Sequence, residues 1–459
     1  MKNISLFGPV NFYKKALQIA LPIMFQLLIQ SLISLIDNFM VSDLGNIKYS
    51  SVNVANQLNM VIFILINSIT TAGGIYISQY NGTKDGDGMK QAYRFKIIIG
   101  VSVGILYTAC CYFLPKFMMD FMLKGNLNQT EITIEGIKYL KITAFTWVPI
   151  VISTCIGSSM RESENVKTPL YISIFATLVN TFFNWVLIYG NLGAPRLEIE
   201  GAALATLIAR LVELATYLIY CYVKKPLFFS KWKDIFKIKA SLFWEILKKF
   251  FFVILSEMSW ILTETIMNRV YNGRGGSEVV AGMSAAWSIA NLFQLVINGV
   301  ACATAVIIGG TLGQGKLEEG KLHSRWMKSG AFVSGAVFGG ALILSGGLLK
   351  FVFRNISPEA IDIAQNMLLI IGLYLPLWTF LNAQFSTARA GGDAIMGTVT
   401  DISVNIFLFL PGIFLVAYFT TWGPVLMYAV LKLTDVVKVI VAEWQLRKER
   451  WVKNLTIEN

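Results

Sequence analysis

Asp37 stands near the end of the first long apolar run of the chain, Ala16 to Met40. A carboxylate in such a run costs a few kcal/mol unless it is paired, hydrated or protonated, so an acid at this depth is a functional candidate. A second reading stands beside it: Val41-Ser42-Asp43-Leu44-Gly45 follows at once, and Asp37 could be an interfacial acid that reaches back to water. Pro22, fifteen residues upstream, removes a backbone donor inside the same run and would kink that helix. A kinked helix carrying one acid has the makings of a moving part.

Other polar residues inside apolar segments extend this chemistry. Asn180 and Asn184 are one helical turn apart, so their amides share a face, and Thr206 lies in the small-residue run Gly201-Ala202-Ala203-Leu204-Ala205-Thr206. By themselves such groups can serve only to glue helices together, at about 1 kcal/mol or less each. Together with Asp37 they supply a carboxylate, amide oxygens and a hydroxyl, the hard oxygen donors that a small cation such as Na⁺ needs, and one carboxylate among amides can equally take H⁺.

Two further stripes, Asn56, Asn59, Asn67 and Thr71 in one segment and Ser284, Ser288, Asn291, Gln294 and Asn298 in another, suggest a water-filled cleft. Glu257 and Glu264 share a helix face, with Asn268 a turn beyond. Of the two acids, Glu264 is expected to pair with Arg269. Arg210 with Glu213, and Lys432 with Asp435 and Lys438, have the spacing of self-neutralising pairs along a helix.

The elements that must position these groups follow from composition. The 459 residues are 55% hydrophobic and 14% charged, with a mean hydropathy of +0.61, whereas soluble domains carry roughly 25% charged residues. The chain is therefore an all-α, polytopic membrane protein. Twelve spans are expected, near 16–42, 53–79, 95–115, 139–158, 168–190, 201–222, 247–270, 280–311, 329–353, 364–388, 396–419 and 424–446. The start Met1-Lys2-Asn3 lacks a cleavable apolar leader, so the first span is expected to remain.

The net charge of +12 does not mark a nucleic-acid binder, because the basic residues gather in alternate loops. About 26 of them fall on one side and about 10 on the other, which puts both termini in the cytoplasm and the protein in the cell's inner (plasma) membrane. The five cysteines read as small buried hydrophobes, and a single histidine, His323, builds no zinc site.

Shifting the chain by 231 residues aligns Asp37 with Asn268, Gly45 with Gly276, Asn67 with Asn298 and Gly82 with Gly313. Six spans plus six in the same orientation is the pattern of a parallel repeat, with substrate passing between the halves. The expected domains are a six-helix lobe at 1–223, a basic linker at 224–246 and a second lobe at 247–459. The linker is expected on the membrane surface, with Phe228, Phe229, Trp232 and Phe236 on its lipid side.

In this order, Pro22 and Asp37, Asn180 and Asn184 in Leu178-Val179-Asn180-Thr181-Phe182-Phe183-Asn184-Trp185, then Gly201 to Thr206, resemble the multidrug and toxic compound extrusion (MATE) family. Leu255-Ser256-Glu257-Met258-Ser259-Trp260 and Arg389-Ala390-Gly391-Gly392-Asp393 extend the resemblance to the second half. It implies two six-helix bundles in a V around a central cleft, and export of drugs and cationic toxins against Na⁺ or H⁺. By motif it implies that Asp37, Asn180, Asn184 and Thr206 form the ion-coupling site, that Pro22 is a hinge, and that Glu257 is the acid of the seventh helix. Asn67, Asn268, Asn291, Gln294 and Asn298 are the expected cleft residues. Two departures appear: some members have Asp at the place of Asn184, and some have an acid in the tenth helix, where this chain has no Asp or Glu from Ile363 to Gly392.

The reading is a secondary antiporter, not an enzyme, that exchanges small organic cations or drugs for Na⁺ or H⁺, works as a single copy in the bilayer and needs no further cofactor. No Walker-type phosphate loop is present. The nearest rival is a flippase for lipid-linked saccharides, which should show several cations in the cleft. A polytopic transferase, the rival of another class, would need a histidine, paired acids or a metal cluster at the membrane surface.

Overall fold

The computed structural model describes residues 5–124, 128–353 and 357–457, and among them it is helical with no strand. Among the described residues, eleven helices are long and apolar enough to cross a membrane: α1 Val10–Ser42, α2 Asn46–Thr83, α3 Gly86–Phe113, α4 Gln129–Glu162, α5 Lys167–Tyr189, α6 Glu198–Lys224, α7 Ala240–Asn272, α8 Ser277–Gly313, α9 Leu317–Val352, α10 Pro358–Ala390 and α11 Ala394–Phe419. The twelfth expected span, α12, is two short helices, Pro424–Lys432 and Thr434–Leu446, interrupted at Leu433.

Local chemistry sets the helix ends. Asp85 Oδ1 accepts from the backbone N–H of Asp87 and Gly88 at the start of α3, and Asp393 Oδ1 accepts from Met396 N at the start of α11. Both acids occupy orphan donors that a helix start leaves open. α5 stops at Gly190, whose φ of +78° is left-handed backbone that glycine adopts without strain.

Contacts divide the chain into two compact units, one of Met1–Met24, Ser78–Thr83 and Phe251–Asn459, the other of Phe25–Ile77 and Lys84–Phe250. The division crosses α1 two residues past Pro22, so α1 is an unbroken helix shared between the units.

The unit of Phe25–Ile77 and Lys84–Phe250 is built around Val41, Val52, Cys111, Met119, Tyr139, Leu140 and Ile188. Gly201 lets α6 approach α5 closely: a Cβ there would lie 2.5 Å from the Leu187 carbonyl oxygen, as the small-residue run predicts. Gly73 and Gly74 make room for a buried ion pair, Lys96 with Glu162, to which Ser158 adds an acceptor 3.1 Å from Lys96 Nζ. The basic linker belongs to this unit and is strapped to α3. Arg94 donates to Ser230 Oγ at 3.0 Å, and Gln91 accepts from Lys239 N at 3.0 Å. Phe228, expected on the lipid side, is instead buried against Tyr93, because the strap turns it inward; Trp232 and Phe236 remain exposed. On the linker surface, Lys237 beside Asp234 holds that carboxyl below its usual range.

The other unit has its core in Met267, Tyr271, Met283, Leu342, Met367, Ile371, Phe409 and Tyr428. Its inner feature is a close crossing of the end of α2 with the end of α8. A Cβ on Gly82 would lie 2.2 Å from the Gly310 carbonyl oxygen, and one on Gly313 would lie 2.0 Å from that of Gln79. The 231-residue shift converts each contact into the other, so the internal repeat appears here as a local pseudo-two-fold axis. The chain end folds over this crossing. Gln79 Nε2 donates to the Ala390 and Lys453 carbonyls, at 2.7 and 3.3 Å, and its Oε1 accepts from Leu455 N at 2.7 Å.

Candidate functional site: a carboxylate and amides between α1 and α5

The second half of α1 runs parallel to α5, and the two are laced at three levels. Gln30 Nε2 donates to Ser173 Oγ at 2.7 Å, Asn184 Nδ2 donates to Asp37 Oδ1 at 2.7 Å, and the Tyr189 hydroxyl donates to Asp43 Oδ2 at 2.8 Å. Asp37 is half-buried, and Asn184 is buried at 2% exposure. The Asp37–Asn184 bond ties the carboxylate to α5.

Asn184 also approaches Asn180 Oδ1, at 3.4 Å. Its own Oδ1 is buried and has no partner, which is unusual for a buried amide oxygen and points toward a ligand or a proton donor. Thr206 Oγ1 donates to Ala202 O of its own helix at 3.0 Å, which leaves the hydroxyl lone pairs uncommitted. The structure thus joins Asp37, Asn184 and Asn180 by direct hydrogen bonds, while Thr206 is turned to its own helix. Arg210, within electrostatic range of Asp37, is held by Glu213 at 2.8 Å.

No three of His, Cys, Asp and Glu gather into a metal-binding group among the described residues. At Asp37 the donors are one carboxylate and neutral oxygens. That set matches the charge of a monovalent cation better than that of a divalent one.

The remaining expected site residues are placed as follows. Asn67, Asn268, Asn291 and Asn298 are exposed, and Gln294 is half-buried with its Nε2 lacking a partner. Asn268 accepts from the Tyr271 hydroxyl. On α8, Ser284, Ser288, Asn291 and Asn298 form one exposed polar line along an otherwise apolar helix. Asn59, expected on the stripe of α2, is instead buried and accepts from the Tyr107 hydroxyl at 3.1 Å, because it faces α3.

Glu257 lies 3.7 Å from Arg389. Glu264 pairs with Lys432 and not with Arg269, since residues five apart on a helix do not face each other. Lys432 is consequently drawn away from the expected pairing along its own helix, and Lys438 alone keeps its contact with Asp435. Spacing could not reveal the partners Ser173, Tyr189 and Lys432, since each lies well over a hundred residues from the group it meets.

Comparison with known proteins bears on the family and the fold. The family model MatE matches residues 22–186 and 253–415, once in each half of the chain. A probable multidrug resistance protein NorM of Thermotoga maritima is 22% identical over 86% of this chain and 82% of its own length. The probable multidrug resistance protein YoeA of Bacillus subtilis is 23% identical over 78% of each chain. In fold, the chain superposes on a MATE transporter in its bent conformation with a TM-score of 0.84, at 20% identity over 98% of this chain and 97% of that one. An outward-facing multidrug resistance MATE transporter gives 0.84 at 18% identity, over 98% of both chains. Apolar membrane-length helices along the described residues, a family model matched in both halves and these superpositions agree: this chain belongs to the MATE family and is a multi-pass secondary membrane transporter, not an enzyme.

Proposed function

We propose that the protein exports small organic compounds, cations among them, across the cell membrane in exchange for Na⁺ or H⁺ bound at Asp37. The observation that supports this most is the buried, unpartnered Oδ1 of Asn184 beside a carboxylate that its own Nδ2 holds. Asp37 would carry the charge, Asn184 and Asn180 would supply neutral oxygens, and Thr206 would complete the set from α6. Occupancy by either ion neutralises Asp37 and changes which packing of α1 on α5 is favoured. Pro22 lies inside α1 and removes a backbone donor there, which suits a hinge. The names of the relatives support drugs as cargo, and the exposed polar line of α8 supports a hydrated path.

The deciding experiment is counterflow in proteoliposomes with an imposed Na⁺ or pH gradient. Export driven by neither gradient would refute ion coupling.

Glu257 is the proposed contact for cationic cargo, with Arg389 as its resting partner. Glu257→Gln is expected to weaken binding of cations by about 1–3 kcal/mol while sparing neutral ligands. Equal loss for both, read by titration of the purified protein, would mean that the Arg389 contact is structural. The flippase reading finds less support, since Arg389, Arg210 and Lys432 each stand beside an acid.

The proposed orientation has its own check. In a cysteine-free background, cysteines at the exposed positions Lys233 and Lys316 should react with an impermeant thiol reagent only from the cytoplasm, and one at Glu131 only from outside. Labelling of Lys233→Cys from outside would reverse the assignment.

A further inference from the structure

The segment between α6 and α7 is a charged stretch to which the antiport reading gives no task. It carries Lys225, Lys231, Lys233, Lys237 and Lys239 against a single acid, Asp234. α6 ends at Lys224 and α7 begins at Ala240, so the segment is tethered at both ends to helices of membrane-crossing length.

Its inner side is committed to the protein. Phe228, Ser230 and Ile235 are buried. Arg94 Nε donates to Ser230 Oγ at 3.0 Å, Arg94 Nη1 donates to the Lys237 carbonyl, and Lys239 N donates to Gln91 Oε1 at 3.0 Å. These bonds to α3 fix which side chains turn outward: Lys231, Trp232, Lys233, Phe236 and Lys237 are exposed, Trp232 by 46% and Phe236 by 83%. Asp234 is taken by Lys237 at 2.7 Å. Lys231 and Lys233, which flank Trp232, have no acid within ion-pairing distance among the described residues.

A strap that faced only water would keep the indole and the phenyl ring hydrated, which is unfavourable for both. A strap that lies on a bilayer places the rings below the headgroups and the ammonium groups at the phosphates, so the same alternation of cation and ring becomes favourable throughout. Because the strap is already fastened to α3, binding there costs little ordering entropy.

We propose that the outer face of this strap, formed by Lys231, Trp232, Lys233 and Phe236, binds anionic phospholipid. Lys231 and Lys233 donate to the phosphate oxygens, and the two rings wedge beside the upper acyl chains. A zwitterionic lipid offers the same phosphate but adds a cationic group that the two lysines repel, so the face prefers a lipid of net negative charge. The preference is electrostatic and weakens with salt. It is independent of how transport is driven and of which side of the membrane the strap occupies.

The test uses the full-length protein in a cysteine-free background, with a fluorophore on Leu227→Cys, an exposed position of the same strap. It is reconstituted in phosphatidylcholine nanodiscs, which offer the same lipid to both faces. A small fraction of lipid bearing a nitroxide near its headgroup is included, as phosphatidylglycerol or as phosphatidylcholine. Labelled phosphatidylglycerol should quench about twofold or more as strongly as labelled phosphatidylcholine at equal fraction, and the excess should shrink in about 0.5 M salt. Lys231→Gln with Lys233→Gln should remove at least about half of the excess, whereas Lys231→Arg with Lys233→Arg should retain it. Both pairs change exposed side chains that make no bond to α3, so the melting temperature should stay within about 2 °C of the parent's. Equal quenching by the two lipids before substitution would overturn the proposal and leave the strap a hydrated basic loop. So would an excess of which more than about half survives the glutamine pair, or one that the arginine pair abolishes.

Discussion

Asp37→Asn is expected to leave a folded transporter that still binds cargo but exports it no faster with an ion gradient than without one. The substituted amide keeps an oxygen where Asn184 Nδ2 donates at 2.7 Å, so the contact between α1 and α5 survives. What is lost is the charge and its titration, and a site that is neutral at all times cannot distinguish its loaded from its empty state. Asn180→Ala should be milder, since it removes an oxygen and not the charge. Asn184→Ala should fall between the two, because it takes away both the hydrogen bond that orients Asp37 and the unpartnered amide oxygen. Transport by each variant in proteoliposomes, at matched protein content with and without the gradient, orders the three. Full gradient-driven export by Asp37→Asn would return that residue to the status of an interfacial acid.

The second large effect is expected at the crossing of α2 and α8. Gly313→Ala places a methyl 2.0 Å from the Gln79 carbonyl oxygen, and Gly82→Ala places one 2.2 Å from that of Gly310. Backbone in two packed helices cannot yield as a side chain can, so each substitution should cost about 1–3 kcal/mol of stability. A methyl added at Gly340, in α9, would meet nothing within 4 Å, so that position serves as the control: Gly340→Ala should stabilise by roughly 0.5–1 kcal/mol. Thermal unfolding of the three purified variants is the measurement. Equal melting temperatures for all three would mean that the crossing is looser than these distances require. The repeat makes a sharper demand, that the Gly82 and Gly313 variants lose similar amounts, because the two contacts are images of one another.

The sequence by itself determined the class of fold and the outline of the transporter. A low charged fraction, long apolar runs and alternating basic loops make a membrane protein, and runs of about 20 apolar residues without the short alternating pattern of a barrel make it helical. The spacing of Asn180 and Asn184 put both amides on one face before any partner was visible, and the small residues from Gly201 announced a close helix approach, with α5 as the partner shown only by the structure. The 231-residue shift that pairs Gly82 with Gly313 anticipated a contact that the structure makes reciprocal.

Tertiary structure alone decided which charges meet. Local spacing offered Arg269 to Glu264 and Asp435 to Lys432, yet Lys432 reaches across to Glu264 from a helix far along the chain. Likewise the place of Asp401 beside Lys438, of Phe228 beneath the linker and of Asn59 against Tyr107 depends on which helix faces which. Periodicity fixes the face of a helix on which a residue lies, but the partner of that face is set by packing between segments that no local pattern connects.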